Sequence, residues 1–241
     1  MQTQPSILLI IVNYNQEREI EKFLVSLSSY WPNQHSILVD DGSTDRSHII
    51  AENLGFTVIR HQNNQGVGAA IRTGIDHAKS KGYDCVLIMS SNGKMIPAEI
   101  PTIVTPILQD KADYVTGSRF LIGGDSPGLS NFRRLSIPIF SFICTMLLRR
   151  KFSDITCGFR CYKIDFLFNG SCNIHQEWLS RYELEYYIHY WACDQNLRIC
   201  EVPVTIKYSH LEKNRTSKIR PVLDWWSMIK PLFFLRLRLR K

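Results

Sequence analysis

No run in this chain is both long and apolar enough to cross a bilayer as a helix, which takes about twenty residues. The apolar run Ile7–Val12 is short and lacks a basic lead, so no secretory leader is expected. None of the seven cysteines falls into a CxxC or Cys/His zinc spacing. They are expected to be reduced thiols in a cytosolic setting, where the Asn214-Arg215-Thr216 sequon never meets a glycosylation machinery. An acidic excess is lacking as well. The formal net charge is +7, and residues 211–241 hold nine Lys/Arg against Glu212 and Asp224. Residues 1–210 carry twenty charges of each sign and balance. A neutral body with a basic end points to an anionic partner. No recognition motif accompanies that end, so nucleic acid is not expected. With 241 residues at 44 % apolar content, the chain has material for one large domain.

The stretch with the most to say is Ile37-Leu38-Val39-Asp40-Asp41-Gly42-Ser43-Thr44-Asp45. An apolar run bounded by turn residues reads as a strand buried on both faces. Asp40 and Asp41 then stand at its carboxyl end, where open α/β sheets hold ligands. Two adjacent carboxylates repel, so a cation or hydrogen-bond donors are expected beside them. Ser43 or Thr44 can cap the following helix with Asp45 in its first turn, and a bland capping role for all three acids competes with a functional one.

Around it strand and helix signals alternate. Strands are expected over Ser6–Asn13, Ser36–Asp40, Phe56–Arg60, Asp84–Met89 and Ala112–Ser118. Helices are expected after Asn15, which serves as a cap, and over 44–53, Gly66–Lys81 and Pro97–Gln109. Ile20, Phe23, Leu24 and Leu27 share one helix face, as do Ala70, Ile71, Gly74, Ile75 and Ala78 further on. The second half has longer helical regions at Leu135–Arg150 and Glu177–Trp191 and a strand at Leu197–Ile206. Such alternation predicts an α/β fold, a largely parallel sheet with helices on both faces. Gly66-Val67-Gly68 follows the third strand and lacks a third glycine, which argues against a Rossmann oxidoreductase. These glycines are expected to let a helix start close to its neighbour.

The order Ile11-Val12-Asn13-Tyr14-Asn15-Gln16, then Val39 to Asp45, then Asn64-Gln65-Gly66-Val67-Gly68-Ala69-Ala70, resembles glycosyltransferase family 2. Gly117-Ser118-Arg119-Phe120, Asp154 to Arg160, Glu201-Val202-Pro203-Val204 and Ser217-Lys218 are similar to its dolichyl- or polyprenyl-phosphate mannosyltransferase branch. The match runs colinearly from about Ser6 to Lys218. The resemblance implies a Rossmann-like GT-A domain over 1–218, with 219–241 as a basic aromatic tail at a membrane surface.

It also implies residue roles. Asn13, Tyr14 and Gln16 occupy the loop that holds the nucleotide base; Val12 stands where the family has proline, and Gln16 where it has glutamate. Asp40 and Asp41 would accept from base and ribose hydroxyls, as acceptor-only groups can. Arg119, Arg160 and Lys218 are candidates for the donor diphosphate or the acceptor phosphate, whose oxygens match an Arg fork. Arg133 and Arg134 are further candidates for the acceptor phosphate.

The departure from the family pattern is at its metal-binding Asp-x-Asp. Here the chain reads Met89-Ser90-Ser91-Asn92-Gly93-Lys94, and both carboxylates are absent. Neutral oxygens are poor sole ligands for Mg or Mn. Lys94 standing in for the metal, a weaker ion held by Asp41 and the diphosphate, and loss of catalysis are the alternatives. Ser90, Ser91 and Asn92 remain donor-side residues. Glu183 and Glu185 stand two apart on a helix and do not share a face, so one at most points inward. Glu185 matches the family acid better. It is the candidate base for a hydroxyl acceptor, with Asp154 behind it, whereas an anionic lipid phosphate needs no base.

Two stretches suit a membrane surface. One is Leu135–Leu148, framed by Arg133-Arg134 and Arg149-Arg150-Lys151. The other combines Trp225, Trp226, Ile229, Phe233 and Phe234 with Arg236, Arg238, Arg240 and Lys241. Pro231 is expected to interrupt any helix in the second. Together these readings describe an inverting glycosyltransferase, peripheral on a cytoplasmic membrane face, that uses a nucleotide-sugar donor and a lipid phosphate acceptor. A hydroxyl acceptor and a catalytically silent nucleotide-sugar-binding protein are the alternatives. A second copy or a membrane protein is a further partner compatible with the apolar stretches.

Overall fold

The computed structural model describes residues 4–170, 172–208 and 223–239. Seven strands form one sheet: β1 Ile7–Asn13, β2 Ser36–Asp40, β3 Thr57–Arg60, β4 Cys85–Ser90, β5 Tyr114–Ser118, β6 Arg160–Lys163 and β7 Ile199–Pro203. Their order is β3-β2-β1-β4-β6-β5-β7. Only β6 runs antiparallel to its neighbours β4 and β5; the other pairings are parallel. The helices are α1 Glu17–Ser28, α2 Ser47–Asn53, α3 Val67–Ser80, α4 Ile100–Leu108, α5 Asn131–Leu148, α6 Glu183–Asp194 and α7 Leu223–Arg236.

Strand period explains the two-sided core. In β1, Ile7, Leu9 and Ile11 pack against α1, α2 and α4, while Leu8 and Ile10 face α3 and α6. Both faces are covered, so the central strands read as continuous apolar runs. The two helix faces expected from periodicity, around Leu24 and Ile75, are the buried ones. Each such Leu or Ile, fully buried, contributes about 1.5–3 kcal/mol.

Local details differ from the expectations. Asp45 is not in the first turn of α2; its carboxylate accepts from Ser47 N at 3.0 Å and from Glu17 N at 2.9 Å. One carboxylate thus serves two helix starts, and neither Asn15, Ser43 nor Thr44 is the cap. Asn15 instead has a left-handed backbone, and its side chain accepts from Thr44 N. Gly68 is required by close approach: a Cβ there would stand 2.3 Å from the Arg181 carbonyl oxygen. The Ser180 carbonyl takes the Ala69 N–H at the start of α3, which therefore closes on the chain itself.

Three elements were misread in the sequence. Strand β6 was missed because Arg-Cys-Tyr-Lys has charged ends and no apolar run. The helical region from Glu177 breaks into a short 3-10 turn, Glu177–Leu179, before α6 starts at Glu183. Helix α7 runs straight through Pro231. An interior proline costs about 3 kcal/mol. Packing against α5 and α6 offsets that, since Met228, Leu232 and Leu235 are buried there. The described part of the basic aromatic stretch therefore belongs to the folded core.

Candidate active site

Paired acids at a strand end need compensation, and the chain supplies it. Asp40 accepts from the Asn13 amide at 2.7 Å, from Ser43 N at 3.1 Å and from the Ser43 hydroxyl. Arg60, its register partner on β3, brings Nε to 3.4 Å. Asp41 uses all four acceptor directions: His61 Nδ1 at 2.8 Å, Gln65 N at 2.9 Å, Asn64 Nδ2 at 2.8 Å and Gly66 N at 2.8 Å. Asn13 continues the network, contacting Ser47 Oγ at 2.8 Å and accepting from Ser91 Oγ at 2.7 Å.

Asn13, Asp40, Asp41 and Ser91 are buried and fasten the ends of β1, β2 and β4 to one another. Their polar atoms are bonded within the protein, Asp40 by Asn13 and Ser43, Asp41 by the loop after β3. Tyr14 and Gln16 lie half-buried on the adjoining loop, where Gln16 Nε2 donates to the Tyr14 carbonyl at 3.0 Å.

Next to this network a cavity of about 330 Å³ opens at the carboxyl ends of β1, β4 and β5. Its cations are grouped around Tyr208. Lys94 Nζ lies 5.5 Å and the Arg133 guanidinium 6.0 Å from that ring's centre, while Arg119 donates to its hydroxyl. Burial raises the Tyr208 pKa above its ordinary value, against the pull of Arg119 and Arg133. Ser90 and Asn92 line the same space, and Asn92 Oδ1 accepts Lys94 N at 3.1 Å. Apolar lining comes from Ile137 and Phe140 of α5, Tyr186 of α6, and Trp225 and Met228 of α7. Glu185 lines the cavity too; Glu183 turns to Lys230 of α7 at 3.5 Å.

The remaining candidates lie beneath the lining. Asp154 is fully buried and grips Arg119 through two bonds, Nε at 2.6 Å and Nη2 at 2.7 Å. Burial opposes the Arg119 charge, but Asp154 outweighs it and holds the guanidinium pKa above its usual range. Asp154 is not among the residues that line the cavity; its carboxylate meets Arg119 and Thr156. Arg160 is likewise buried, 2.7 Å from Glu185 and donating to the Ile155 carbonyl, and it meets Glu185 in place of a phosphate. Arg134 is exposed on α5, away from the cavity lining. Lys218 lies outside the described residues.

Residues with no role in the sequence reading complete the arrangement. Glu201 accepts Ser153 N at 2.8 Å and Asp154 N at 3.1 Å, so β7 holds the loop that holds Arg119. Thr156 joins Arg119 and Asp154. Tyr208, just past the end of β7, had one signal: strand ends on this side of the sheet carry ligands.

In sequence the chain is 26 % identical, over 88 % of its length and 90 % of the relative's, to UDP-N-acetylglucosamine–dolichyl-phosphate N-acetylglucosaminyltransferase of Methanococcus voltae. It is 26 % identical to undecaprenyl-phosphate mannosyltransferase of Micrococcus luteus, covering 88 % and 87 % of the two chains. In structure it resembles glucosyl-3-phosphoglycerate synthase of Mycobacterium tuberculosis bound to Mg2+ and uridine diphosphate. The TM-score is 0.66 at 16 % identity, covering 98 % of this chain and 81 % of that one, a likeness of fold. Residues 8–168 match the model of glycosyl transferase family 2, so the chain belongs to that family and is a glycosyltransferase of GT-A fold.

Proposed function

We propose that this enzyme moves a sugar from a nucleotide-diphosphate donor to a polyprenyl- or dolichyl-type lipid phosphate, with inversion. The observation that carries the reading is a cavity lined by both cations and an apolar wall. Lys94, Arg119 and Arg133 gather around Tyr208, and α5, α6 and α7 supply apolar lining. The apolar lining suits a hydrocarbon tail, and the cations suit the phosphate oxygens that meet where the sugar is passed on. The named activities of the relatives from M. voltae and M. luteus support the same acceptor class. In a single displacement, an acceptor phosphate oxygen attacks the anomeric carbon as the bond to the donor diphosphate breaks. The nucleoside diphosphate leaves with that electron pair. A phosphate oxygen is already anionic near neutral pH, so no base is needed.

The test is transfer from a panel of labelled nucleotide sugars to a short polyprenyl phosphate. Product formation with inverted anomeric configuration is expected, and no lipid-linked sugar with any donor would defeat the reading. Because Glu185 lines the cavity, a hydroxyl acceptor is the second reading, and one substitution separates them. Glu185→Gln should keep transfer within about tenfold if the acceptor is a phosphate. It should lose about 10²–10⁴-fold if Glu185 is a general base.

Access to the lipid is assigned to α5. Its inner residues are buried, while Phe132, Leu135, Ile139, Phe142, Ile143 and Met146 are exposed at helical spacing. Trp226 and Phe233 of α7 are exposed as well, and no helix among the described residues can cross a membrane. An apolar stripe bordered by Arg134, Arg149 and Lys151 suits an anionic membrane surface. Phe142→Asp/Met146→Asp should release the protein from acidic liposomes in co-sedimentation while leaving its melting temperature near wild type. Removing 219–241 would be the wrong test, because α7 is part of the core. Unchanged sedimentation of the double variant would assign the contact elsewhere.

A further inference from the structure

The GT-A relatives whose structures carry Mg2+ or Mn2+ raise the question of whether this site fits a divalent ion. The donor set at the usual metal position does not fit one. Ser91 Oγ is buried and donates to Asn13 Oδ1 at 2.7 Å, with the Val12 carbonyl 3.2 Å away. Asn92 Oδ1 is taken by Lys94 N. Ser90 contributes a neutral hydroxyl, and Mg or Mn sites normally include at least one carboxylate. Asp41 has its acceptor directions filled by four protein donors. Among the described residues no three His, Cys, Asp or Glu side chains gather in a metal-binding group. Positive charge is instead supplied by the protein, from Lys94 and Arg133 around Tyr208, where Arg119 also stands, paired with Asp154.

We infer that the donor diphosphate is bound here without a divalent ion, its charge met by Lys94, Arg119 and Arg133. This deepens the proposed function and rests on its donor class. Lys94 follows directly on the altered motif, so its ammonium enters the cavity from the loop that carries the metal carboxylates elsewhere in the family. Arg119 cannot swing away, because Asp154 and Thr156 hold it from behind. A fixed guanidinium and an ammonium can stabilise a leaving diphosphate without coordination geometry, since preorganised charge costs no reorganisation as the bond breaks.

The test is calorimetric titration of the intact protein with inorganic pyrophosphate, in EDTA and then in Mg2+ or Mn2+. A farnesyl monophosphate arm separates the donor diphosphate from the acceptor phosphate, which has the same oxygens. Pyrophosphate binding that persists in EDTA is expected. Lys94→Ala and Arg133→Ala should each weaken it about tenfold to a hundredfold, the scale of one charge-assisted hydrogen bond. Lys94→Arg should restore most of the loss, and Lys79→Ala on the far end of α3 should bind as wild type. Rebuilding the carboxylates as Ser90→Asp/Asn92→Asp in Lys94→Ala should make binding depend on Mn2+. Wild-type binding that vanishes in EDTA and returns with Mn2+ overturns the inference, as does binding unmoved by Lys94→Ala and Arg133→Ala. Farnesyl monophosphate binding without pyrophosphate binding would give the cations to the acceptor and also overturn it. Failure of lipid transfer alongside EDTA-resistant pyrophosphate binding would instead count against the acceptor reading alone.

Discussion

Asp154→Ala should destabilise the fold by about 3–5 kcal/mol and abolish sugar transfer, because it strands a buried charge. The Arg119 side chain is 5 % exposed and that of Asp154 is not exposed at all. Without the carboxylate, the guanidinium keeps its desolvation penalty and loses the two bonds that offset it. Thr156 and Tyr208 still offer oxygens, but neither carries a formal negative charge in the folded protein. Asp154→Asn keeps the shape and one acceptor, and an intermediate loss is expected. The informative partner is Arg119→Met/Asp154→Leu, which removes both charges. Replacing a buried ion pair with apolar groups of like volume is often neutral, so this variant should recover most of the stability. It should stay inactive, because the cavity has lost a cation. Urea unfolding followed by circular dichroism, with a parallel transfer assay, separates the two quantities. An Asp154→Ala protein with the wild-type midpoint would show that Arg119 finds another counter-charge. A double variant that transfers sugar would remove Arg119 from the site.

The scaffold was legible where the physics is local. Continuous apolar runs gave the parallel strands β1, β2 and β4, because burial on both faces leaves no room for polar alternation. The spacing of Ile20, Phe23, Leu24 and Leu27 gave a helix face. Elements set by distant contacts were not legible. Strand β6 exists because β4 and β5 leave a gap that four residues of mixed character can fill. Helix α7 persists through Pro231 because α5 and α6 bury its apolar side, which no local propensity reveals.

The site divides the same way. Lys94, Arg119 and Glu185 were readable as residue types in a motif order and Arg133 as a charge flanking an apolar run, and the cavity brings all four together. Which partners Asp40, Asp41, Asp154 and Arg160 have within the chain was not readable. A carboxylate that accepts from a ligand and one that accepts from its own chain look alike in sequence. Only the placement of Asn64, Gln65 and Gly66 around Asp41, and of Arg119 across Asp154, tells them apart.

That distinction changes what Asp41→Ala should do. Read from the sequence alone, the substitution removes a ligand contact and spares the fold. In the structure Asp41 gathers His61, Asn64 and two backbone N–H groups from the loop between β3 and α3. Gly42 lies against the same loop, so close that a Cβ there would stand 2.4 Å from the Asn63 carbonyl carbon. A buried donor left without a partner costs about 1–3 kcal/mol, but Asn64 and Gln65 are exposed and water can recover part of their loss. A total loss of about 1–3 kcal/mol is therefore expected. Hydrogen exchange should rise at Gln65 and Gly66, whose amides lose their acceptor, before it rises in the strands. Nucleotide affinity should fall as a consequence, and Asp41→Asn should not rescue it, since its amide would direct N–H groups at N–H groups. The decisive result is the pairing of the two readouts. An Asp41→Ala protein with wild-type unfolding and wild-type exchange at Gln65 and Gly66, yet no nucleotide binding, would return Asp41 to the ligand. Binding lost together with the loop assigns the carboxylate to the scaffold that shapes the donor side.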